Sequence, residues 1–225
     1  MRAPISVIIP TLNAADALPL CLAALGEGLQ AGLIRELLVS DGGSSDATIK
    51  IAEAAGGVVV KGPASRGEQL KRGADAAQGE WLFFLHADTV LSEGWSGPVS
   101  HSLTKPGGYH AQLRFDATGF APRFVAAWAN FRSRRFGLPY GDQGLLIDRE
   151  TYDGVGGFRA MPLMEDVEMV RALRGKLAEL PIQAVTSAKK YQNQGWIKRG
   201  SRNLITLARH LSGTDSETLA QAYRR

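Results

Sequence analysis

Three acidic positions could carry chemistry in this chain of 225 residues. His86-Ala87-Asp88 follows directly on the unbroken apolar run 81–85, Trp-Leu-Phe-Phe-Leu. A carboxylate one residue from an imidazole, at the carboxyl end of a buried strand, is suited to hold a divalent cation against phosphate oxygens. Glu165-Asp166 stands where a helix should begin. There the dipole keeps a carboxylate ionised, and such a group can accept a proton from a hydroxyl that attacks an electrophile. Asp41 ends the second apolar run and opens the turn Asp41-Gly-Gly-Ser-Ser-Asp46, the other acidic loop that follows a strand. Each also has a purely structural reading: a turn and helix cap at residues 86–88, a first-turn helix carboxylate at Asp166, a turn-former at Asp41. The chemical reading requires all three to line one cleft.

The elements that must bring them together alternate. Residues 5–9 (Ile-Ser-Val-Ile-Ile) read as a strand stopped by Pro10, and residues 16–25 as a helix with Leu18, Cys21, Leu22 and Leu25 on one face. Residues 36–40 form a second strand, 47–55 a helix capped by Ser44, Ser45 or Asp46, and 58–60 a third strand. The helix 66–78 ends at Gly79 and delivers the chain into the strand 81–85. Strand, helix, strand in this order predicts right-handed crossovers and a parallel sheet. The loops at Asp41 and Asp88 then open on the same sheet edge.

The second half is less regular. Helices are expected over 94–103, 122–135, 149–155 and 164–174, with a half-exposed strand over 109–115 and a short one over 145–147. A pair of strands broken at Pro181 is expected over 177–180 and 182–186, and a basic amphipathic helix over 195–211. Phe124 and Trp128 read as core packing rather than an exposed binding platform. Gly141-Asp-Gln-Gly144 reads as a turn leading into the strand 145–147. One domain covers the chain, and no linker separates residues 1–105 from 106–225.

Composition narrows the class. Hydrophobic residues make up 44% of the chain, enough for a large core, and no apolar run reaches the ~18 residues a bilayer requires. The early strand reads as no signal peptide, and a single cysteine, Cys21, builds neither a disulfide framework nor a metal site; a cytoplasmic location is the default expectation. Net charge is +4, yet residues 186–225 hold 8 Lys/Arg against 2 Asp/Glu, a balance of +6. Such a segment meets phosphate on a soluble ligand or on an anionic membrane, or is a solvated helix face. No nucleic-acid partner is expected.

The ordered set Val7-Ile-Ile-Pro-Thr-Leu-Asn13, the 36–46 segment, Arg66-Gly67, Leu85-His-Ala-Asp-Thr89, Gly156-Gly-Phe158 and Glu165-Asp166 resembles the inverting family-2 glycosyltransferases, and within them a small soluble bacterial branch. The resemblance runs from Ile5 to about Leu211 and implies residues 1–105 as a nucleotide-binding half and 106–225 as an acceptor half, with Asp142-Gln143 as a polar loop on the acceptor side. It implies an α/β GT-A fold, a Rossmann-like, mostly parallel central sheet flanked by helices. It implies transfer of one sugar from a nucleoside-diphosphate sugar, assisted by Mg²⁺ or Mn²⁺. By that resemblance Pro10, Asn13 and Asp41 line the nucleoside pocket, and Arg66 lies near the donor phosphates with Ala87. Asp88 takes the metal and Asp166 is the general base, with Glu165 able to exchange roles or orient the acceptor. His86 stands where the family's first metal-motif aspartate would be. If it binds metal, its softer nitrogen favours manganese. The Gln-x-x-Arg-Trp signature of processive members is absent; Ser187-Ala-Lys-Lys-Tyr191 stands there, which points to single-sugar transfer and leaves Lys189, Lys190 and Tyr191 as candidates for the pyrophosphate. The acceptor is unidentified. One expectation is that the helix over 122–135, if its aromatic face is exposed, and the basic C-terminal helix with Lys198, Arg199 and Arg202 rest on a membrane and admit a lipid-linked acceptor.

The alternatives are a nucleotidyltransferase or pyrophosphorylase on a related sheet, and a non-catalytic nucleotide-binding module. The former carries a glycine-rich loop after its first strand, where this chain has Pro10-Thr-Leu-Asn13. A dinucleotide dehydrogenase lacks support for the same reason.

Overall fold

The computed structural model describes residues 2–224. A single eight-stranded sheet runs through both halves in the order β3-β2-β1-β4-β7-β6-β8-β5. Its first part is parallel and built by crossovers: β1 (Ile5–Thr11), α1 (Leu18–Gln30), β2 (Ile34–Asp41), α2 (Thr48–Ala54), β3 (Val58–Lys61), α3 (Arg66–Ala76) and β4 (Trp81–Phe84). Beyond β4 the sheet is mixed. β5 (Thr89–Leu91) and α4 (Ser96–Ser102) precede β6 (Gly108–Phe115), α5 (Phe120–Phe136) and β7 (Leu145–Asp148). After α6 (Arg149–Gly154) and α7 (Glu165–Ala172), β8 (Leu177–Thr186) pairs parallel to β6 and antiparallel to β5. The chain closes with α8 (Lys189–Gln194), α9 (Trp196–Leu211) and α10 (Ser216–Arg224).

Period-two alternation sorts the central strands between two cores. Ile5, Val7, Ile9, Phe83 and Leu85 pack under α1 and α4 with Leu18, Cys21 and Trp95. Ile8, Leu82 and Phe84 face the other way, toward Leu70 and Ala74 of α3 and Met169 of α7. Burial on both faces explains the unbroken apolar run in β4.

Three expectations are corrected. Pro10 does not stop β1, which continues through Pro10↔Ser40 to Thr11↔Asp41. The Ile5 N–H faces β2, donating to the Leu33 carbonyl. By alternation the nitrogen of residue 10 faces β4, whose pairing with β1 ends at Ile8↔Phe84. No ladder donor is needed there. Likewise Pro181 does not split β8, because the register against β6 shifts between His110 and Gln112, around that residue. A bulge tolerates the missing N–H. Phe124 and Trp128 are exposed rather than core residues. Helix α5 packs through its small face, Ala126, Ala129 and Ser133, and Asn130 bonds the backbone of Leu113 in both directions. The basic helix expected over 195–211 is α9, and two helices not expected from the sequence, α8 and α10, flank it.

Candidate active site

Strand β4 ends beside β1, where the Leu85 N–H donates to the Ile8 carbonyl at 3.0 Å. Residues His86, Ala87 and Asp88 then leave the sheet at its carboxyl edge and turn into β5, with the Thr89 N–H closing on the His86 carbonyl. His86 and Asp88 border a cleft of about 120 Å³, while Ala87 between them is buried in the core under α1 and α4. Arg66, His86, Asp88, Asp142, Asp166 and Lys190 all line the cleft.

Helix α7 supplies the opposing wall. Met164 adopts the left-handed conformation (φ 67°) just before it, a strained state for a residue with a side chain. Glu165 and Asp166 then diverge. Glu165 is only 2% exposed and lies behind the cleft, 3.7 Å from Nε of Arg66. Its Oε2 has no hydrogen-bond partner among the described residues. Burial, and then the adjacent Asp166 charge, raise its pKa above the carboxylate range, while Arg66 opposes them. Asp166 faces the cleft. Its Oδ2 accepts from the Gly141 N–H at 2.8 Å and its Oδ1 from the Val167 N–H at 2.8 Å. These bonds orient the carboxylate and leave each oxygen further acceptor capacity.

Two glycines permit this assembly. Gly67 opens α3 and bonds the Met161 carbonyl through its N–H. A Cβ there would stand 2.1 Å from the Arg159 carbonyl oxygen. The contact clamps the segment entering α7 against the turn that carries Arg66. Gly67→Ala should therefore lower stability by about 2–3 kcal/mol or more, seen as a lower midpoint in urea unfolding at unchanged slope. Gly141 has the same role toward His86, whose Nε2 would lie 2.5 Å from an added Cβ. The motif order marks Gly67 and the turn pattern marks Gly141, but neither carries this cause, which is a contact between distant segments.

His86 is held neutral. Burial is the main cause of its lowered pKa, with Arg66 adding to it against the pull of Asp88 and Asp166. Asp88 is partly exposed, and its Oδ2 lies 3.8 Å from Nζ of Lys190 at the start of α8. Of the three pyrophosphate candidates, Lys190 and Tyr191 line the cleft. Asp142 also lines it, while Gln143 is a buried strut. Gln143 donates to the Ala111 carbonyl and accepts from Ser133.

Burial raises Asp142 to about 6, with Arg132 opposing and Asp166 and Asp88 adding to the shift. Its cost is absent below the ordinary carboxylate pKa, grows as pH rises toward 6, and is complete above it. Asp142→Asn should therefore raise thermal stability at pH 8 by on the order of 1 kcal/mol, by roughly half as much at pH 5 and by almost nothing at pH 3, measured by thermal melts at the three values.

Pro10, Asn13 and Asp41 occupy the same edge but do not line this cleft. Asp41 ends β2, two strand positions from β4, roughly 10 Å away at ordinary strand spacing. Its buried carboxylate accepts from Thr11 Oγ1, Ser44 Oγ and the N–H groups of Gly43 and Ser44. Burial works against its charge, but these bonds hold its pKa below the ordinary value. Asn13, left-handed at φ 50°, accepts from the Ser45 N–H. These residues lock the β1 and β2 loops into one wall.

Among the described residues no three His, Cys, Asp or Glu side chains group as a metal site. A divalent ion bound through phosphates needs only one or two protein donors. Asp88, open to the cleft, fits that requirement. His86 has the neutral form a ligand needs, but its Nε2 is turned onto Gly141.

Residues that motif reading missed come from the chain's end. Arg199 and Asn203 of α9 and Tyr223 of α10 reach the cleft. Arg199 donates to Gln194 and to Tyr223 Oη, and Tyr223 donates to Asn203. Arg199 and Arg202, expected on a membrane-facing surface, instead hold α10 in place. Only the basic, amphipathic character of the segment was visible beforehand.

Residues 6–163 match the family model described as Glycosyl transferase family 2. Curated relatives from Mycobacterium tuberculosis and Mycobacterium bovis, named PGL/p-HBAD biosynthesis glycosyltransferase, are 39% identical over 101 residues. That match covers 41% of this chain and about two-fifths (39%) of the relatives' length. Among solved structures, glucosyl-3-phosphoglycerate synthase from M. tuberculosis, in complex with Mn²⁺, uridine diphosphate and glucosyl-3-phosphoglycerate, is similar with a TM-score of 0.60 and 21% identity, over 81% of this chain and 70% of that one. Staphylococcus aureus TarS (residues 1–349) is similar with a TM-score of 0.63 and 14% identity, over 91% of this chain and 64% of that one.

Proposed function

The chain belongs to glycosyltransferase family 2, and from that premise we propose that it transfers one sugar from a nucleoside-diphosphate sugar to an acceptor hydroxyl, with inversion at the anomeric carbon and with Mg²⁺ or Mn²⁺. Its fold is GT-A, as the motif order implied. The observation that carries the reading is the single cleft shared by Asp88, Asp166, Arg66 and Lys190. The separate nucleoside wall at Pro10, Asn13 and Asp41 fits residues 1–105 as the donor half. The cleft residues from Tyr140, Tyr191 and α9 fit residues 106–225 as the acceptor half.

In the proposed reaction the acceptor oxygen bonds to the anomeric carbon as the bond to the phosphate oxygen breaks. The electron pair of that bond leaves on the nucleoside diphosphate. Asp166 accepts the hydroxyl proton, oriented by the N–H groups of Gly141 and Val167. Arg66 and Lys190 stabilise the growing phosphate charge. Asp88 would hold the cation, which when bound neutralises the same diphosphate. Glu165, behind Arg66, sets the position of that guanidinium. Departure from the processive signature at residues 187–191 supports release after one sugar.

No helix among the described residues is long and apolar enough to cross a membrane. Contact with a lipid-linked acceptor is therefore proposed as peripheral, through the basic C-terminal helices. The M. tuberculosis synthase structures that hold UDP-glucose or UDP with Mn²⁺ make UDP the first donor nucleotide to try. The decisive experiment is a thermal-shift comparison of UDP, GDP and their sugars with and without Mn²⁺. A melting-temperature rise that needs both nucleotide and metal is expected. No response to any nucleoside diphosphate would overturn the reading.

A further inference from the structure

The face of α5 turned away from the sheet is aromatic. Phe120, Phe124, Trp128, Phe131 and Phe136 are between 43% and 82% exposed. Their rings pair along the helix, Phe120 with Phe124 at 5.9 Å, Trp128 with Phe131 at 5.8 Å and Phe131 with Phe136 at 6.1 Å. Scattered exposed apolar residues are ordinary, but a contiguous row of rings marks an interaction surface. Helix α9 packs against α5 and also exposes apolar residues, Ile197, Leu204, Ile205 and Leu211.

Charge decides what covers these faces. Together α5, α8 and α9 contain ten Lys/Arg and no Asp or Glu. Several of these cations are engaged within the fold. Arg132 is stacked 3.5 Å over Tyr140, Arg134 pairs with Glu179, and Lys190 faces Asp88. Arg123, Arg135, Lys198 and Arg209 are exposed and make no ion pair among the described residues. A second copy of this chain would bring the same positive sign to the contact. An anionic lipid surface brings the opposite sign, and its headgroup boundary accepts amphipathic helices with aromatic faces.

We propose that α5 and α9 together dock the protein on an anionic lipid surface, the rings of α5 entering the acyl boundary and Arg123, Arg135, Lys198 and Arg209 meeting the headgroups. The docking face connects to the chemistry. Arg132 on α5 holds Tyr140, and the next residue, Gly141, bonds Asp166. The acceptor class such docking serves is a hydroxyl carried at headgroup level on a lipid, a consequence that rests on the transfer reaction proposed above.

The test is cosedimentation of the full chain with vesicles of phosphatidylcholine, alone or mixed with phosphatidylglycerol. Binding is expected only with the anionic vesicles and should weaken with added salt. Phe124→Ser/Trp128→Ser/Phe131→Ser should lower partitioning about tenfold or more. Lys198→Ala/Arg209→Ala should lower it by a similar factor, at about fivefold per cation. Leu20→Ser/Leu29→Ser, at exposed apolar positions on α1, should leave it unchanged. No sedimentation at low salt, or equal loss in the α1 variant, overturns the proposal. So does a wild-type dimer that the aromatic triple variant makes monomeric. Calorimetry of UDP and GDP with Mn²⁺ on the same preparations separates the two readings. Nucleotide binding without vesicle binding removes the docking alone, and vesicle binding without nucleotide binding removes the transferase reading alone.

Discussion

Asp166→Asn is expected to lower sugar transfer by about 10²–10⁴-fold while donor affinity stays within about a factor of two. The asymmetry follows from where the charge is used. An amide oxygen can replace one carboxylate oxygen in bonding the Gly141 N–H, so the cleft wall between α7 and residues 141–143 should persist. What is lost is a group basic enough to take the hydroxyl proton. Initial rates with saturating donor, set beside calorimetric donor affinity, distinguish this from general damage. Wild-type turnover in the variant would remove Asp166 from the mechanism. Glu165→Gln is the informative companion. Because Glu165 lies behind the cleft against Arg66, its loss should act on donor affinity before it acts on turnover.

Asp88→Ala should remove the metal requirement for donor binding and reduce transfer by about 10²–10³-fold. The same substitution frees Lys190, which lies 3.8 Å from Asp88. Residual donor affinity should therefore become metal-independent and more sensitive to ionic strength, as expected when a mobile ammonium is left to meet the diphosphate. Titration of UDP with and without Mn²⁺ in the variant reads this directly. Unaltered metal dependence would transfer the ligand role away from Asp88. His86→Ala gives a second check, because with Nε2 turned onto Gly141 its contribution to metal affinity should be smaller than that of Asp88.

Much of the parallel half was legible because its information is local. Apolar alternation and glycine-rich turns mark β1 through β4 within a few residues of their ends. The misreadings have local causes too. Proline was taken as a stop at residues 10 and 181, yet it interrupts a strand only where its nitrogen faces a partner. Phe124 and Trp128 read as core because large rings usually are. Here the small residues of α5 made the closer packing against β6, and the rings were left outside.

What the chain determined by itself is the set of chemically capable groups and the strands that end at them. Asp41 and Asp88 were assigned to one edge by strand order alone, since parallel strands joined by crossovers all deliver their carboxyl ends to the same side. Tertiary structure decided how these groups divide. Asp88 and Asp166, 78 positions apart in the chain, meet across a cleft with Arg66, whereas Asp41 is consumed by four hydrogen bonds inside the adjacent wall. The recruitment of Arg199, Asn203 and Tyr223 was likewise settled only by packing of the last helices. The physical reason is one of range: periodicity and turn chemistry act over a few residues, while side-chain partnership depends on which surfaces come to rest against each other.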